Sequence, residues 1–239
     1  MFFFPLSDQN PTKNKPIICW IIITICIILF FWQQTLSNEN QGKLILSFGM
    51  IPSVIFGFRE LSYELILIPS ELTIFTSIFL HGGWMHLIGN MMYLYIFGDN
   101  IEDCMGKFRF IIFFGLCGVL AALSQSYVNI QSPIPMIGAS GAVSGILGGY
   151  LLLFPKAKIR VFFWFLIFIK IFNVPSLIVL GGWLLIQFFS FDLNSSDSNI
   201  AYAAHIGGFI SGMIFIKIFK KKGYNNLSKL SKGSVPKSS

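Results

Sequence analysis

The chain has 239 residues, of which 54% are hydrophobic and only 11% are charged. Soluble domains carry about 25% charged residues, so the composition excludes a soluble globular protein. The formal net charge of +7 does not indicate a nucleic-acid partner, because the basic residues are concentrated in alternate segments between the apolar runs. We expect an integral membrane protein.

Apolar runs close to the roughly 20 residues that cross about 30 Å of hydrocarbon recur along the chain. The first run, Ile17 to Trp32, follows Lys13 and Lys15 and has no small-residue cleavage site behind it. It therefore predicts an uncleaved first span and not a signal peptide. The predicted fold is all-α, a polytopic bundle of six transmembrane helices at residues 17–36, 84–105, 108–127, 140–154, 173–190 and 201–219.

Basic residues concentrate in alternate connecting segments. Of the 17 Lys and Arg residues, only Lys43 and Arg59 fall within residues 37–80, and none falls within 126–135 or 191–199. The positive-inside rule then predicts that both termini are cytoplasmic. Residues 38–80 are apolar but broken by glycine and proline, so we expect them to lie in the outer membrane interface.

Three regions are predicted along the chain. Residues 1–16 are expected to form a cytoplasmic N-terminal segment, and residues 17–222 a single membrane domain. Residues 223–239, which are rich in Ser, Lys and Asn, are expected to be a disordered cytoplasmic tail.

The fourth predicted span is unusually short. Counted from Pro155 at its cytoplasmic end, Ser140 lies 15 residues, or about 22 Å, along the helix, which is less than the hydrocarbon thickness. The helix should therefore begin inside the membrane. His205 lies equally far from Lys220 in the sixth span, so Ser140 and His205 are predicted to share one depth.

Further polar residues fall at the same depth. Asn90 lies 16 residues before Gly106 in the second span, and His86 lies one turn above Asn90 on the same helical face. Polar groups inside a membrane are functional candidates, because burying them there costs free energy. A buried histidine is nevertheless more often a structural residue, and three histidines near one depth, His81, His86 and His205, weaken that interpretation.

Small residues indicate how the two helices could meet. Gly141 is followed at helical spacing by Gly145 and Gly149, and Gly208 is followed by Gly212. Such ridges allow close approach of membrane helices, and alone they predict packing only. Ser140 directly precedes the first ridge, and His205 lies three residues before the second.

A serine beside a histidine can act as a nucleophile with a general base. The oxyanion that develops needs donors, which the Ser140 amide at the helix N-terminus, Asn90 and His86 could supply. Because no acidic residue lies near His205 in the sequence, we expect a Ser–His dyad without a cofactor or metal.

The segments GASGA, HGGWMHLIGNMMYLYIFGDNIED and AHIGGFISG resemble the GxSG, HxxxxHxxxN and AHxGG patterns of the rhomboid intramembrane serine proteases. Three motifs match in spacing, and the resemblance covers nearly all of residues 48–220. It implies a bacterial six-span rhomboid with Ser140 as nucleophile, His205 as general base, and His86 and Asn90 as oxyanion donors.

The resemblance also implies structural roles. His81 would lie near the site, and Glu102, which matches the family's GxxxE after Gly98, would hold loops; the motif glycines are Gly138, Gly141 and Gly208. Two features depart from the family. Arg59 lacks the Trp that precedes it in many rhomboids, and Ser144 stands where some members have an aromatic residue below the base.

The predicted function is intramembrane cleavage of single-span membrane proteins in the lipid bilayer. A rhomboid-like pseudoprotease, which binds membrane segments without cleaving them, is the alternative; it would be expected to lack Ser140 or His205. A zinc protease is disfavoured because His81 and His86 are five residues apart and no His-Glu-x-x-His motif occurs. The sequence leaves the oligomeric state open.

Overall fold

The computed structural model describes residues 2–191 and 201–224, and helices dominate this part of the chain. The helices are α1 (Ile17–Gln34), α2 (Asn38–Phe48), α3 (Pro52–Ile55), α4 (Thr73–Thr76), α5 (Trp84–Met105), α6 (Lys107–Val128), α7 (Ser140–Leu153), α8 (Ser176–Phe189) and α9 (Tyr202–Phe219). The strands are β1 (Phe2–Asp8), β2 (Lys158–Phe165) and β3 (Phe168–Pro175).

Each of the six predicted spans corresponds to a helix, which confirms the helical membrane bundle. Among the described residues, α1, α6 and α9 are long and apolar enough to cross a membrane. Helix α5 makes a fourth candidate together with the preceding segment 70–79, from which it is bent by 81°. The remaining two, α7 and α8, are apolar but only 14 residues long.

The segment between α1 and α5 folds into short helices. It contains α2, α3, α4 and three 3-10 turns, Tyr63–Leu65, Ser70–Leu72 and Ser77–Phe79. Its predicted place in the outer interface stays a prediction. The predicted outer loop 192–199 and the tail from residue 225 onward lie outside the described residues.

Helix α7 is the centre of the bundle, and α9 packs directly on it. A side-chain carbon added at Gly208 would collide with the carbonyl oxygen of Gly141, and one at Gly212 would collide with that of Gly145. Along α7, Gly148 meets the carbonyl of Phe209 in the same way. The two glycine ridges therefore interlock at backbone contact, which is the close approach that small residues permit.

A three-stranded antiparallel sheet in the order β1-β2-β3 accompanies the helices. Strands β2 and β3 form a hairpin between α7 and α8, and β1 comes from the N-terminal segment. Ile159, Val161 and Val174 at the base of this sheet are buried in the same core as Tyr150 of α7. The sequence analysis did not predict the sheet, because a continuous apolar run lacks the alternation typical of a half-exposed strand.

The N-terminal segment is joined to this core. Asp8 at the end of β1 accepts a 2.7 Å hydrogen bond from the Tyr150 hydroxyl, and Gln9 donates its backbone amide to the Lys158 carbonyl. The domain boundary at residue 17 stays a prediction, and the segment before it contributes an ordered strand to the fold.

Candidate active site

Ser140 is the first residue of α7, and the loop before it is held on both sides. The Met50 and Met136 backbones exchange hydrogen bonds of 3.0 and 2.7 Å, and the Gly138 amide donates to the Ser77 carbonyl at 2.8 Å. Gly138 has a φ of +116°, a conformation that favours glycine. Ser140 is half-buried, and its amide belongs to the first turn, where no intrahelical acceptor exists.

Ser140 and His205 belong to the two interlocked helices, and each lies near a contact between them. An added carbon at Gly141 would lie 4.0 Å from the Ala204 carbonyl oxygen, and Gly208 meets the Gly141 carbonyl. Residue 141 of α7 thus faces the turn of α9 that contains His205. The shared depth of Ser140 and His205 that the sequence predicts stays a prediction.

Two polar side chains of α5 converge on the loop that precedes Ser140. A side-chain carbon at Gly138 would come within 2.5 Å of His86 Nε2 and 3.7 Å of Asn90 Nδ2. Asn90 is buried, and its Nδ2 has no hydrogen-bond partner among the described residues. An unsatisfied buried donor costs about 1–3 kcal/mol, so this amide is a candidate hydrogen-bond donor beside Gly138, which lies two residues before Ser140.

A glutamine of α8 contacts the histidine. His205 Nδ1 lies 2.7 Å from Gln187 Oε1, and the Trp183 ring lies next to His205 with the ring centroids 5.8 Å apart. Gln187 is buried. With the amide oxygen as acceptor, Nδ1 carries the ring proton and Nε2 is left as the basic nitrogen.

Comparisons with known proteins assign the chain to a family. Residues 69–222, more than half of the chain, match the family model described as the rhomboid domain. The chain belongs to the rhomboid family. It is a multi-pass membrane protein, as the apolar helices also indicate.

Several rhomboids are similar to this chain in sequence. Rhomboid protease GluP of Bacillus subtilis is 30% identical over 200 residues, which cover 84% of this chain and 34% of that protein. Rhomboid protein 1, mitochondrial, of Saccharomyces cerevisiae is 29% identical over 157 residues, or 62% of this chain and 42% of that protein. The chain thus spans less than half the length of these relatives.

The remaining motif residues of this rhomboid have structural contacts. His81 is fully buried, its ring centroid lies 5.2 Å from that of His86, and its carbonyl accepts a 3.0 Å bond from Gln33 Nε2. Glu102 accepts the backbone amides of Ile18 and Cys19 at 3.1 and 2.9 Å. Glu102 therefore satisfies donors of the first turn of α1 that the helix itself leaves unpaired.

Gln187 is the site residue that the sequence analysis of this rhomboid missed. It is the one strongly polar side chain between Ser176 and the end of α8, and a polar residue in a membrane span is a functional candidate by default. Ser144 does not support the histidine, because its hydroxyl donates at 2.6 Å to the Ser140 carbonyl within α7. The support for His205 comes from α8.

Proposed function

We propose that this rhomboid is an intramembrane serine endopeptidase in which Ser140 and His205 form a catalytic dyad. The observation that supports the proposal is the contact of Gly141, the residue after Ser140, with Gly208 and Ala204 on the part of α9 that contains His205. The hydrogen bond with Gln187 favours the His205 tautomer that is protonated on Nδ1, and this tautomer leaves Nε2 free to accept a proton.

The reaction follows from these positions. Ser140 Oγ attacks the carbonyl carbon of the scissile bond while His205 Nε2 takes the hydroxyl proton. The protonated imidazole then gives this proton to the leaving amine as the C–N bond breaks. The acyl-enzyme on Ser140 is hydrolysed by a water, which His205 deprotonates in turn, and Ser140 regains its proton.

The oxyanion of each tetrahedral intermediate needs donors that are in place beforehand. Asn90 Nδ2 and His86 Nε2 both lie beside Gly138, and the Ser140 amide points out of the helix N-terminus. These three groups are proposed as the oxyanion donors. Removing one such donor typically costs about 10²- to 10³-fold in rate.

The proposed substrates are single-span membrane proteins, because a site at the buried start of α7 is reached from within the bilayer. The alternation of basic segments supports cytoplasmic termini, as expected for a bacterial inner membrane protein. GluP and YdcA of Bacillus subtilis are named as a rhomboid protease and a putative rhomboid protease, which supports the assignment to proteases.

Labelling with a fluorophosphonate tests the proposal and separates it from a pseudoprotease. The purified chain should be labelled, and Ser140→Ala and His205→Ala should abolish both labelling and cleavage of a single-span model substrate. Ser144→Ala is the matched control, since that serine lies one turn along the same helix and bonds only within it. Its labelling should persist. Substrate binding without labelling of the wild-type chain would identify a pseudoprotease instead.

A further inference from the structure

The β2–β3 hairpin carries a long exposed apolar segment. Every residue from Val161 to Phe172 is apolar except Lys170. We call residues 164–169, at the end of the hairpin, the hairpin tip. Its two turn residues, Leu166 and Ile167, are 75% and 88% exposed. Soluble proteins rarely present a contiguous apolar surface of this kind to water.

The turn itself is unfavourable for its residues. Leu166 has a φ of +54°, a conformation in which hairpins normally place Gly, Asn or Asp. The left-handed region is sterically unfavourable for a bulky residue. Strain of this kind persists where a side chain is needed for another reason, and Leu166 offers only apolar surface.

The sheet face that is buried at the base of the hairpin continues into the tip. Ile159 pairs with Val174 and Val161 with Phe172, and their side chains share one face because cross-strand partners point the same way. At the base this face packs into the core of the helical bundle. Farther out, the same face presents Phe163, Phe165, Phe168 and Lys170. The apolar face that packs on the bundle therefore continues past the bundle as an exposed apolar surface.

Charge favours a lipid surface at this place. The chain contains no Asp or Glu between Cys104 and Phe191, whereas the hairpin carries Lys158, Arg160 and Lys170. Basic residues near an anionic leaflet are attracted to it. Trp164, whose indole donates to the Leu166 carbonyl at 2.6 Å, is a residue type enriched at membrane–water interfaces.

The distribution of apolar side chains favours lipid over a protein partner. The tip is apolar on both faces, with Phe165 and Phe168 on one and Trp164 and Ile169 on the other. A partner protein would cover one face, whereas lipid surrounds an inserted tip. Within the part of the chain that the structure describes, β3 is an edge strand of the sheet, but Lys170 near its start disfavours pairing with another strand.

We propose that the hairpin tip inserts into the interfacial zone of the bilayer leaflet on the side of the chain termini, with a preference for anionic lipid. The hairpin joins α7 to α8, and β1 of the N-terminal segment pairs with it. The inserted tip thus anchors the segment that connects the helix of Ser140 to the helix of Gln187.

A fluorescent label at Ile167→Cys in the full-length chain tests this proposal. The chain is reconstituted in vesicles of phosphatidylcholine, and in an equal mixture of phosphatidylcholine and phosphatidylglycerol. The matched control is Lys222→Cys, an exposed position just after α9. The parent chain gives the background, because Cys19, Cys26, Cys104 and Cys117 are buried.

We expect lipid-borne nitroxide to quench the label at residue 167 and aqueous iodide to quench it weakly. Both effects should be larger in the vesicles that contain phosphatidylglycerol. The label at residue 222 should instead be quenched by iodide and little affected by the nitroxide. Iodide quenching of residue 167 as strong as that of residue 222 would overturn the proposal. Protection that disappears when the protein is diluted into excess lipid would also overturn it, because a second copy would then be the occupant. Equal protection in both vesicle types would contradict the preference for anionic lipid.

Discussion

His205 Nδ1 and Gln187 Oε1 are 2.7 Å apart, so a neutral amide on α8 orients the imidazole on α9. A carboxylate in this place would also stabilise the imidazolium that forms during catalysis, whereas an amide only fixes the tautomer and the ring orientation. The proposed Ser140–His205 dyad is therefore supported by a positioning residue, Gln187, that carries no charge.

Substitution of Gln187 should separate positioning from structure. Gln187→Leu removes the acceptor, and we expect kcat to fall about 10- to 100-fold, because small misplacements of a reacting group have effects of this order. Gln187→Glu should restore much of the rate and move the acid limb of the rate–pH profile to higher pH. Cleavage of a single-span substrate measured across pH checks both expectations.

The control is Gln33→Leu, which removes another buried glutamine, one that bonds the His81 carbonyl. This variant should leave the shape of the rate–pH profile unchanged. A Gln187→Leu enzyme with wild-type kcat, or a Gln187→Glu profile that coincides with the wild type, would contradict the positioning role.

A shared depth of Ser140 and His205 could be predicted from the sequence and stays a prediction, whereas the contact of Gln187 with His205 could not be predicted. Helical rise is constant, so counting from Pro155 and Lys220 fixes how far along each axis a residue lies. The face of α8 that carries Gln187 meets α9 only through tertiary packing, and the local sequence pattern does not predict this orientation. The β-sheet could not be predicted either, because the apolar run of the β2–β3 hairpin lacks the alternation typical of a strand.

The glycine contacts between α7 and α9 should be intolerant of any added atom. An added carbon at Gly212 would collide with the backbone of Gly145, and backbone cannot move aside as a flexible side chain can. We expect Gly212→Ala to lower the free energy of unfolding by about 1–3 kcal/mol and to reduce activity, because the helices that carry Ser140 and His205 must separate.

Gly181→Ala is the matched control for this substitution. Gly181 lies within α8 and has no atom within 4 Å of an added side-chain carbon. Thermal unfolding in detergent and cleavage assays should leave Gly181→Ala close to the wild type. Equal stability of the two alanine variants would show that the close approach of α7 and α9 is not required.

The contact of β1 with Tyr150 should depend on pH. Burial raises the pKa of Asp8 from 3.8 to about 6, although the Tyr150 hydroxyl bond lowers it. The folded state thus favours the protonated carboxyl. The contribution of the protonated Asp8 carboxyl to the stability of the folded state is fully present below pH 3.8 and is lost as the pH rises through about 6.

Asp8→Asn should remove this dependence, because the amide stays neutral. We expect the variant to melt at a higher temperature than the wild type above pH 6 and at a similar temperature near pH 4. Glu71→Gln, at an exposed carboxylate, should instead follow the wild type throughout. A constant difference between Asp8→Asn and the wild type across pH would contradict the assignment to Asp8.

The short α7 bears on where a substrate is cut. Its 14 residues extend about 21 Å, less than the ~30 Å hydrocarbon core, so we expect Ser140 at its start to lie below the membrane surface. An intact transmembrane helix cannot present a carbonyl there, because each carbonyl is bonded within the helix. The substrate must unwind locally before Ser140 can attack.

We therefore expect cleavage in or just outside the outer quarter of a substrate span that carries Gly, Pro or other helix-weakening residues. A small residue is expected at the cut, because glycine contacts crowd the start of α7. Mass spectrometry of the released fragment locates the cut, and the Ser140→Ala enzyme is the control for adventitious proteolysis. Replacing the helix-weakening residues with Leu should slow cleavage, since the span then resists unwinding. Cuts at the opposite end of the span, or undiminished cleavage of the Leu-substituted substrate, would contradict both the buried position of Ser140 and the unwinding step.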